Sequence, residues 1–236
     1  MSNNNLVWVT GASSGIGRAI VEELVVNSFS IAATSRKLSS LQTMIKQLRE
    51  DKNKVFLFPA DVKQSSELHD VYSEIAKKNI VTCLINNAGV TSFKSAEENS
   101  IAEIQEIIET NLLGSIYAIK AVLPDMIKNK SGTIINVLSV AAIKTFTNSS
   151  AYAASKSGLL AYTNSLREEL RKYNIKVINI FPGATKTPIW SNDALEKYSD
   201  RMMSPKDISI VIRDILLLNG NIVPEEIVLR PIKGDL

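Results

Sequence analysis

Residues 6–17 read LVWVTGASSGIG. Four apolar, strand-favouring residues stop at a threonine and a glycine, and after a short polar turn apolar residues return at helical spacing, with Ile16, Ile20 and Leu24 four apart. The reading is strand, tight turn, helix. A strand without polar alternation is one buried on both faces. Similar runs rich in Val and Ile recur at SIAAT (30–34), KVFLF (54–58), TCLIN (82–86), TIINVL (133–138), IKVINI (175–180) and EIVLR (226–230). Helical stretches separate them. Leu38, Leu41, Ile45 and Leu48 line one face of the second, and Ser204-Pro205 with Asp207 opens another that stops near Asn219-Gly220. Parallel strands need long crossovers, so this alternation predicts an α/β chain: a doubly wound parallel sheet with helices on both faces.

The chain has 236 residues, 45% hydrophobic and 22% charged, without repeats or a long linker, and is read as a single domain over 1–236. Cys83 lies in the apolar run TCLIN and is read as core. His69, the only histidine, sits in the polar stretch SSELHDVYSEI, so no metal site is expected. No stretch of about 18 apolar residues offers a membrane span. MSNNNLVWVTG runs from polar residues straight into a strand and lacks the pattern of a secretory signal, which reads as cytoplasmic. A net charge of +3 with acids and bases interspersed gives no reason to expect nucleic acid or a membrane surface as partner.

The turn TGASSGIG (10–17) has the placement of a dinucleotide site, where glycines allow a tight turn and close backbone approach to pyrophosphate at a helix N-terminus. Its spacing is GxxxGxG. In such folds an acid about 20 residues on holds the ribose 2′-hydroxyl. Here that place has Ser35, Arg36 and Lys37. A guanidinium there suits a 2′-phosphate, which an acid would repel; the alternative is a solvated pair of cations at a strand end.

Residues 149–159, SSAYAASKSGL, set Tyr152 and Lys156 four apart among small residues, which puts them on one helix face. Ser139 ends the strand TIINVL, at the edge where doubly wound sheets place ligands. Taken singly, these are also what a solvated helix face and a strand-end hydroxyl look like. The stretch 183–204 interrupts the strand–helix alternation and has the length of a substrate lid. Phe146, Ile189 and Trp190 either select a substrate with apolar bulk or pack that lid.

Together TGASSGIG, NNAG (86–89), Ser139, Tyr152 with Lys156, and PGATKT (182–187) resemble the classical short-chain dehydrogenase/reductases, in family order and spacing. The resemblance implies a seven-stranded Rossmann-like sheet and a nicotinamide cofactor. It places Gly11, Ser13, Ser14, Ile16 and Gly17 around the pyrophosphate and adenosine ribose, and Asp61 and Val62 at the adenine. Asn87, Ala88 and Gly89 lie along the cofactor, and Pro182, Gly183, Thr185 and Thr187 embrace its nicotinamide end. Ser35 and Arg36 resemble the NADP-preferring pattern, so NADP(H) is the expected cofactor. The ending EEIVLRPIKGDL (225–236) departs from the glycine-rich ending of the family's carrier-protein reductases.

By the same resemblance Tyr152 is the acid/base, Lys156 lowers its pKa and binds the nicotinamide ribose, Ser139 orients a carbonyl, and Asn111 holds a water linking Lys156 to solvent. The physical case for the pair is that a phenol ordinarily titrates near 10 and a neighbouring ammonium favours phenolate. The expected activity is NADPH-dependent reduction of a ketone or aldehyde. The alternatives are alcohol oxidation with the same residues and a non-catalytic NADPH sensor. A homodimer or homotetramer is expected from the family's use of the helices around 100–128 and 151–173. The second of these carries Leu159, Leu160, Tyr162, Leu166 and Leu170, more apolar residues than one face requires.

Overall fold

The computed structural model describes residues 5–48 and 52–236. The polar residues 1–4 read above as preceding the first strand lie outside that range. Seven parallel strands form one sheet in the order β3-β2-β1-β4-β5-β6-β7. They are β1 (Asn5–Thr10), β2 (Ser30–Ser35), β3 (Val55–Pro59), β4 (Ile80–Asn86), β5 (Gly132–Val137), β6 (Ile175–Pro182) and β7 (Glu226–Leu229). All seven expected runs are strands, and the bounds differ by a few residues. The helices are α1 (Gly15–Val26), α2 (Leu38–Gln47), α3 (Ser65–Ala76), α4 (Ile101–Ile108), α5 (Gly114–Asn129), α6 (Ser150–Leu170), α7 (Asn192–Tyr198) and α8 (Pro205–Leu217).

Burial on both faces explains why the strands lack alternation. Val7 and Val9 join the core under α1, α2 and α8, while Leu6 and Trp8 face the opposite core with α3 and α5. Trp8 is fully buried and satisfies its indole N–H on Thr34 Oγ1 at 2.9 Å. That bond ties β1 to β2, and an unpaired N–H there would cost about 1–3 kcal/mol. The buried stripe of α2 is Leu41, Met44 and Leu48; Leu38, placed on that face from spacing, is exposed because it opens the first turn. Ser204 and Asp207 cap α8 reciprocally as expected, with Pro205 in the first turn. The helix ends at Leu217, before the Asn219-Gly220 stop that spacing suggested.

The apolar surplus on α6 is absorbed inside the chain. Leu159 joins a small core with Leu138, Val140 and Phe181, against which Leu160 packs. Leu166, Leu170 and Tyr162 join the α3–α5 core. Among the described residues no helix is long and apolar enough to cross a membrane. Cys83 is buried, and His69 is exposed.

Chain direction reverses at β1 and β4, since β2 and β3 build outward from one side of β1 and β5 to β7 from the other side of β4. A crevice opens at the strand ends of such a switch point. Near the same strand ends runs a ladder that local reading missed: Asn86, Asn136 and Asn179 sit in register across β4, β5 and β6. Asn86 donates to Asn136 (3.0 Å), Asn136 donates to Asn179 (3.1 Å), and Thr163 of α6 donates to Asn179 (3.1 Å). Each of the three strands carries one asparagine, but their pairing depends on the strand order and register.

Candidate active site

The glycine turn is shaped by contacts that admit no side chain. Gly11 has φ +63°, and a Cβ there would lie 2.7 Å from the Ala88 backbone. A Cβ on Gly17 would lie 2.2 Å from the Gly11 carbonyl oxygen. The turn is locked to β4 by Asn87, whose Nδ2 donates to the carbonyls of Thr10 and Gly11, both at 3.1 Å, while Thr10 Oγ1 accepts from the N–H groups of Asn87 and Ala88. Ser14 sits at the N-cap of α1 without a side-chain capping bond. This stiff, backbone-lined turn forms one end of a cleft of about 570 Å³.

Gly11, Ser13, Ser14, Ile16, Ser35, Arg36, Asp61, Val62, Asn87, Ala88, Gly89, Tyr152, Lys156 and Thr187 all line that cleft. Gly17 is buried behind the turn, where it sets the approach of α1. Pro182, Gly183 and Thr185 line an adjoining cavity. Lys37 and Ser40 border the cleft beside Arg36, so two cations and two hydroxyls gather at its outer end. Arg36 stands 3.6 Å from Glu106, which Lys63 also holds at 2.6 Å, while Asp61 in the cleft lining lies 4.0 Å from Lys63. Arg36 thus shares Glu106 with a second cation. A slot lined by backbone at one end and cations at the other fits a dinucleotide with a 2′-phosphate.

Tyr152 lines both spaces, the cleft and the adjoining cavity of about 300 Å³. Lys156, 4% exposed, donates from Nζ to the Val137 carbonyl at 2.8 Å, and its Nζ lies 5.9 Å from the Tyr152 ring centre. Burial lowers the pKa of Lys156 to about 8. Burial raises that of Tyr152, and the hydrogen-bonded Ser139 hydroxyl pulls it back down. In this arrangement the ammonium is held at the end of β5, 5.9 Å from the Tyr152 ring centre, and the Ser139 hydroxyl is the group that offsets the effect of burial on the phenol. Ser139 Oγ in turn accepts from Ala141 N–H at 3.1 Å, which fixes the hydroxyl at the strand end.

Asn111 lies where the helix widens for one turn of i→i+5 spacing between α4 and α5, over Glu109–Leu113. Such turns recur at functional sites. Fully buried, Asn111 clamps Val90 by accepting from its N–H (2.8 Å) and donating to its carbonyl (2.9 Å), and it also donates to Ser155 Oγ (2.9 Å). Its amide is therefore engaged by protein. It flanks Gly89 opposite Lys156: a Cβ there would lie 3.4 Å from Asn111 Oδ1 and 3.5 Å from Lys156 Nζ.

Sequence reasoning missed Phe93. Its ring stacks on Trp190 at 4.6 Å between centres and 15° between planes, and stands 6.4 Å from Tyr152. Its φ of +46° is unusual for an aromatic residue. Trp190 is fixed by donating Nε1–H to the Thr185 carbonyl at 3.0 Å. Nothing in VTSFK marks this role, because it depends on a loop about a hundred residues away. With Phe146, Val140, Leu138 and Ile189 these rings make the cavity apolar, Tyr152 supplies a polar group at the wall shared with the cleft, and Ser139 supplies one on the cavity side. Among the described residues no group of His, Cys, Asp and Glu can hold a metal.

A parallel doubly wound sheet with a glycine-turn cleft at its switch point, opening through a Tyr–Ser–Lys wall into an apolar cavity, defines a dinucleotide-binding α/β protein. The sequence model of the family described as short chain dehydrogenase matches residues 5–197. The chain is 31% identical over 226 residues to a protein described as an uncharacterized oxidoreductase of Staphylococcus saprophyticus, covering 95% of this chain and 96% of that one. It is 30% identical over 240 residues to a sepiapterin reductase of Chlorobaculum tepidum, covering 98% of each. A metagenomic short-chain oxidoreductase solved in complex with NADP superposes with a TM-score of 0.83 at 27% identity, covering 97% of this chain and 98% of that one. This chain belongs to the short-chain dehydrogenase family of oxidoreductases.

Proposed function

We propose that this protein reduces a ketone or aldehyde with NADPH, with Tyr152 as the proton donor. The observation that carries the reading is the position of Tyr152 on the wall shared by the cleft and the apolar cavity, with Ser139 hydrogen-bonded to it. The cofactor, when bound, supplies a hydride to the carbonyl carbon. The residues that would hold it are Gly11, Ser13, Ser14, Ile16, Asp61, Val62, Asn87, Ala88 and Gly89 along the cleft, with Thr187 at the inner end. Arg36, Ser35, Lys37 and Ser40 would hold a 2′-phosphate. Support for NADP comes from this cationic end and from the NADP complex of the metagenomic relative.

Negative charge grows on the substrate oxygen during reduction, so the site must donate hydrogen bonds and then a proton. Ser139 Oγ–H is placed to donate one bond, and Tyr152 Oη the second and the proton. A phenol is protonated at neutral pH, so Tyr152 can give the proton that reduction requires. The ammonium of Lys156, fixed on Val137 beside Gly89, would bind the nicotinamide ribose, and Asn111 holds the Val90 backbone beside it. In this reading 183–204 closes over the substrate, and Pro182, Gly183 and Thr185 border the inner end. The reductase is read as cytoplasmic and as a dimer or tetramer, which light scattering at micromolar concentration checks; a monomeric mass counts against it.

The test is NADPH consumption with butane-2,3-dione and acetoacetyl thioester side by side, with NADH as control. Turnover of the dione with NADPH is expected, in line with the relative named as a reductase of sepiapterin. No oxidation of NADPH with either carbonyl, together with oxidation of simple alcohols by NADP⁺, overturns the reading.

A further inference from the structure

The segment after β7 has no part in the chemistry above, yet it borders the cavity. Gly234, at φ +82°, donates its N–H to the Pro231 carbonyl at 2.9 Å. This turn brings Asp235 and Leu236 into the cavity wall beside Phe146, Trp190 and Tyr152. Three cations from three segments converge on Asp235. Its Oδ2 accepts from Lys144 at 2.7 Å and from Arg230 at 2.8 Å, and its backbone carbonyl accepts from Arg201 at 2.8 Å. Lys144 follows Ser139 in the loop after β5, Arg201 belongs to the 183–204 stretch, and Arg230 follows β7. Every one of these segments borders the same cavity or adjoins one that does.

Asp235 Oδ1 is buried and has no hydrogen-bond partner. Burying a carboxylate with one bare oxygen is costly, so the docked position depends on the cations holding the other oxygen. Leu236 itself is not core, since 37% of it is exposed while it lines the cavity. A leucine held by a charged neighbour against an apolar space, and not by its own burial, is placed to meet a ligand.

Resting on the reading of this cavity as the substrate site, we propose that Asp235 and Leu236 are specificity determinants. Leu236 touches the carbon body of the substrate and limits its size, and Asp235 is the latch that holds it there through Lys144, Arg201 and Arg230. The substrate class that follows is a small carbonyl compound carrying an apolar group, with larger apolar groups excluded by residue 236.

The experiment compares butane-2,3-dione with 1-phenylpropane-1,2-dione in the wild type and in Leu236→Ala, Leu236→Trp and Asp235→Ala. The preference for the phenyl compound in kcat/KM should rise about tenfold in Leu236→Ala and fall by a similar factor in Leu236→Trp, as for pocket changes of a few carbons. The change should lie in KM, with kcat and NADPH affinity within twofold of wild type. Asp235→Ala should move the ratio in the direction of Leu236→Ala. A second readout needs no turnover: the chain has two tryptophans, Trp8 is fully buried and Trp190 lines the cavity, so in the wild type, Leu236→Ala and Asp235→Ala quenching of Trp190 emission reports the affinity of each dione. If the wild type turns over neither dione, the affinity ratio still decides the role of the wall, and the reductase reading is decided by the test given above. A ratio unchanged within twofold in both Leu236 variants by turnover, or in Leu236→Ala by quenching where there is no turnover, overturns the proposal, and an unchanged ratio in Asp235→Ala removes the latch.

Discussion

The cleft and the cavity meet at Tyr152, yet they are built on different principles. The cleft is walled at the glycine turn by backbone: Gly11 meets Ala88, and Gly17 packs behind Gly11, at distances that leave no room for a Cβ, and four hydrogen bonds join the turn to Asn87 and Ala88 after β4. The cavity is walled by side chains from segments around residues 93, 138–149, 182–190 and 235–236, joined by ring stacking and ion pairs at the surface. Backbone contacts tolerate no substitution and side-chain walls tolerate many, so the first region suits an unvarying ligand and the second can be reshaped around a different one.

The sharpest way to separate the two regions is to strike the residue they share. Tyr152→Phe should lower kcat by at least about 10³-fold and leave NADPH affinity within twofold, by stopped-flow turnover and cofactor titration; substantial residual turnover would show that the proton comes from elsewhere. Gly17→Ala should break the cleft alone. With a Cβ 2.2 Å from the Gly11 oxygen and 2.4 Å from Asn87 Nδ2, something must shift. A loss of about 3 kcal/mol in urea unfolding is expected, and wild-type stability would mean that the turn has slack.

Arg36→Glu tests the cleft's outer end without touching its backbone. Replacing a charge-assisted partner of a phosphate by a repelling carboxylate should reduce the NADPH-over-NADH preference in kcat/KM by about 10–100-fold. An unchanged preference would return Arg36 to the role of a solvated cation.

The smallest effect concerns Lys156. Its pKa of about 8 lies below the ordinary value of 10.5, so between these limits the unfolded chain binds more protons than the folded one. Stability owed to this group is then lacking near neutrality and grows as pH rises from about 8 toward 10.5, by at most about 1.4 kcal/mol per pH unit. Wild-type stability minus that of Lys156→Met, from urea unfolding at pH 7.5, 8.5 and 9.5, should follow this slope. A flat difference would show that the ammonium is stabilised by more than the Val137 carbonyl.

The legibility of the molecule follows the same division. The strands were readable because residues buried on both faces must all be apolar, and Trp8 or Ile85 cannot be otherwise without stranding a polar group between two helix layers. Where burial was partial, spacing misled: Leu38 fits the helical stripe of α2 but faces solvent at its first turn. The cleft was readable because glycines at 11, 15 and 17, an asparagine at 87 and a Tyr–Lys pair four apart are local patterns with local causes. The direction of the Tyr152 shift was not readable, since it depends on how deeply the phenol lies and where Lys156 aims, and both are tertiary facts.

The strand runs and the glycine turn follow from local residue order, because apolar periodicity and glycine placement have local causes, while Arg36 and the Tyr–Ser–Lys set were legible through resemblance to a family. Folding alone brings Phe93 onto Trp190, bonds three asparagines across three strands, and draws Lys144, Arg201 and Arg230 to Asp235. All but the Arg230–Asp235 pair join residues tens of positions apart. No local pattern encodes them, because their partners are chosen by the crossovers of the sheet.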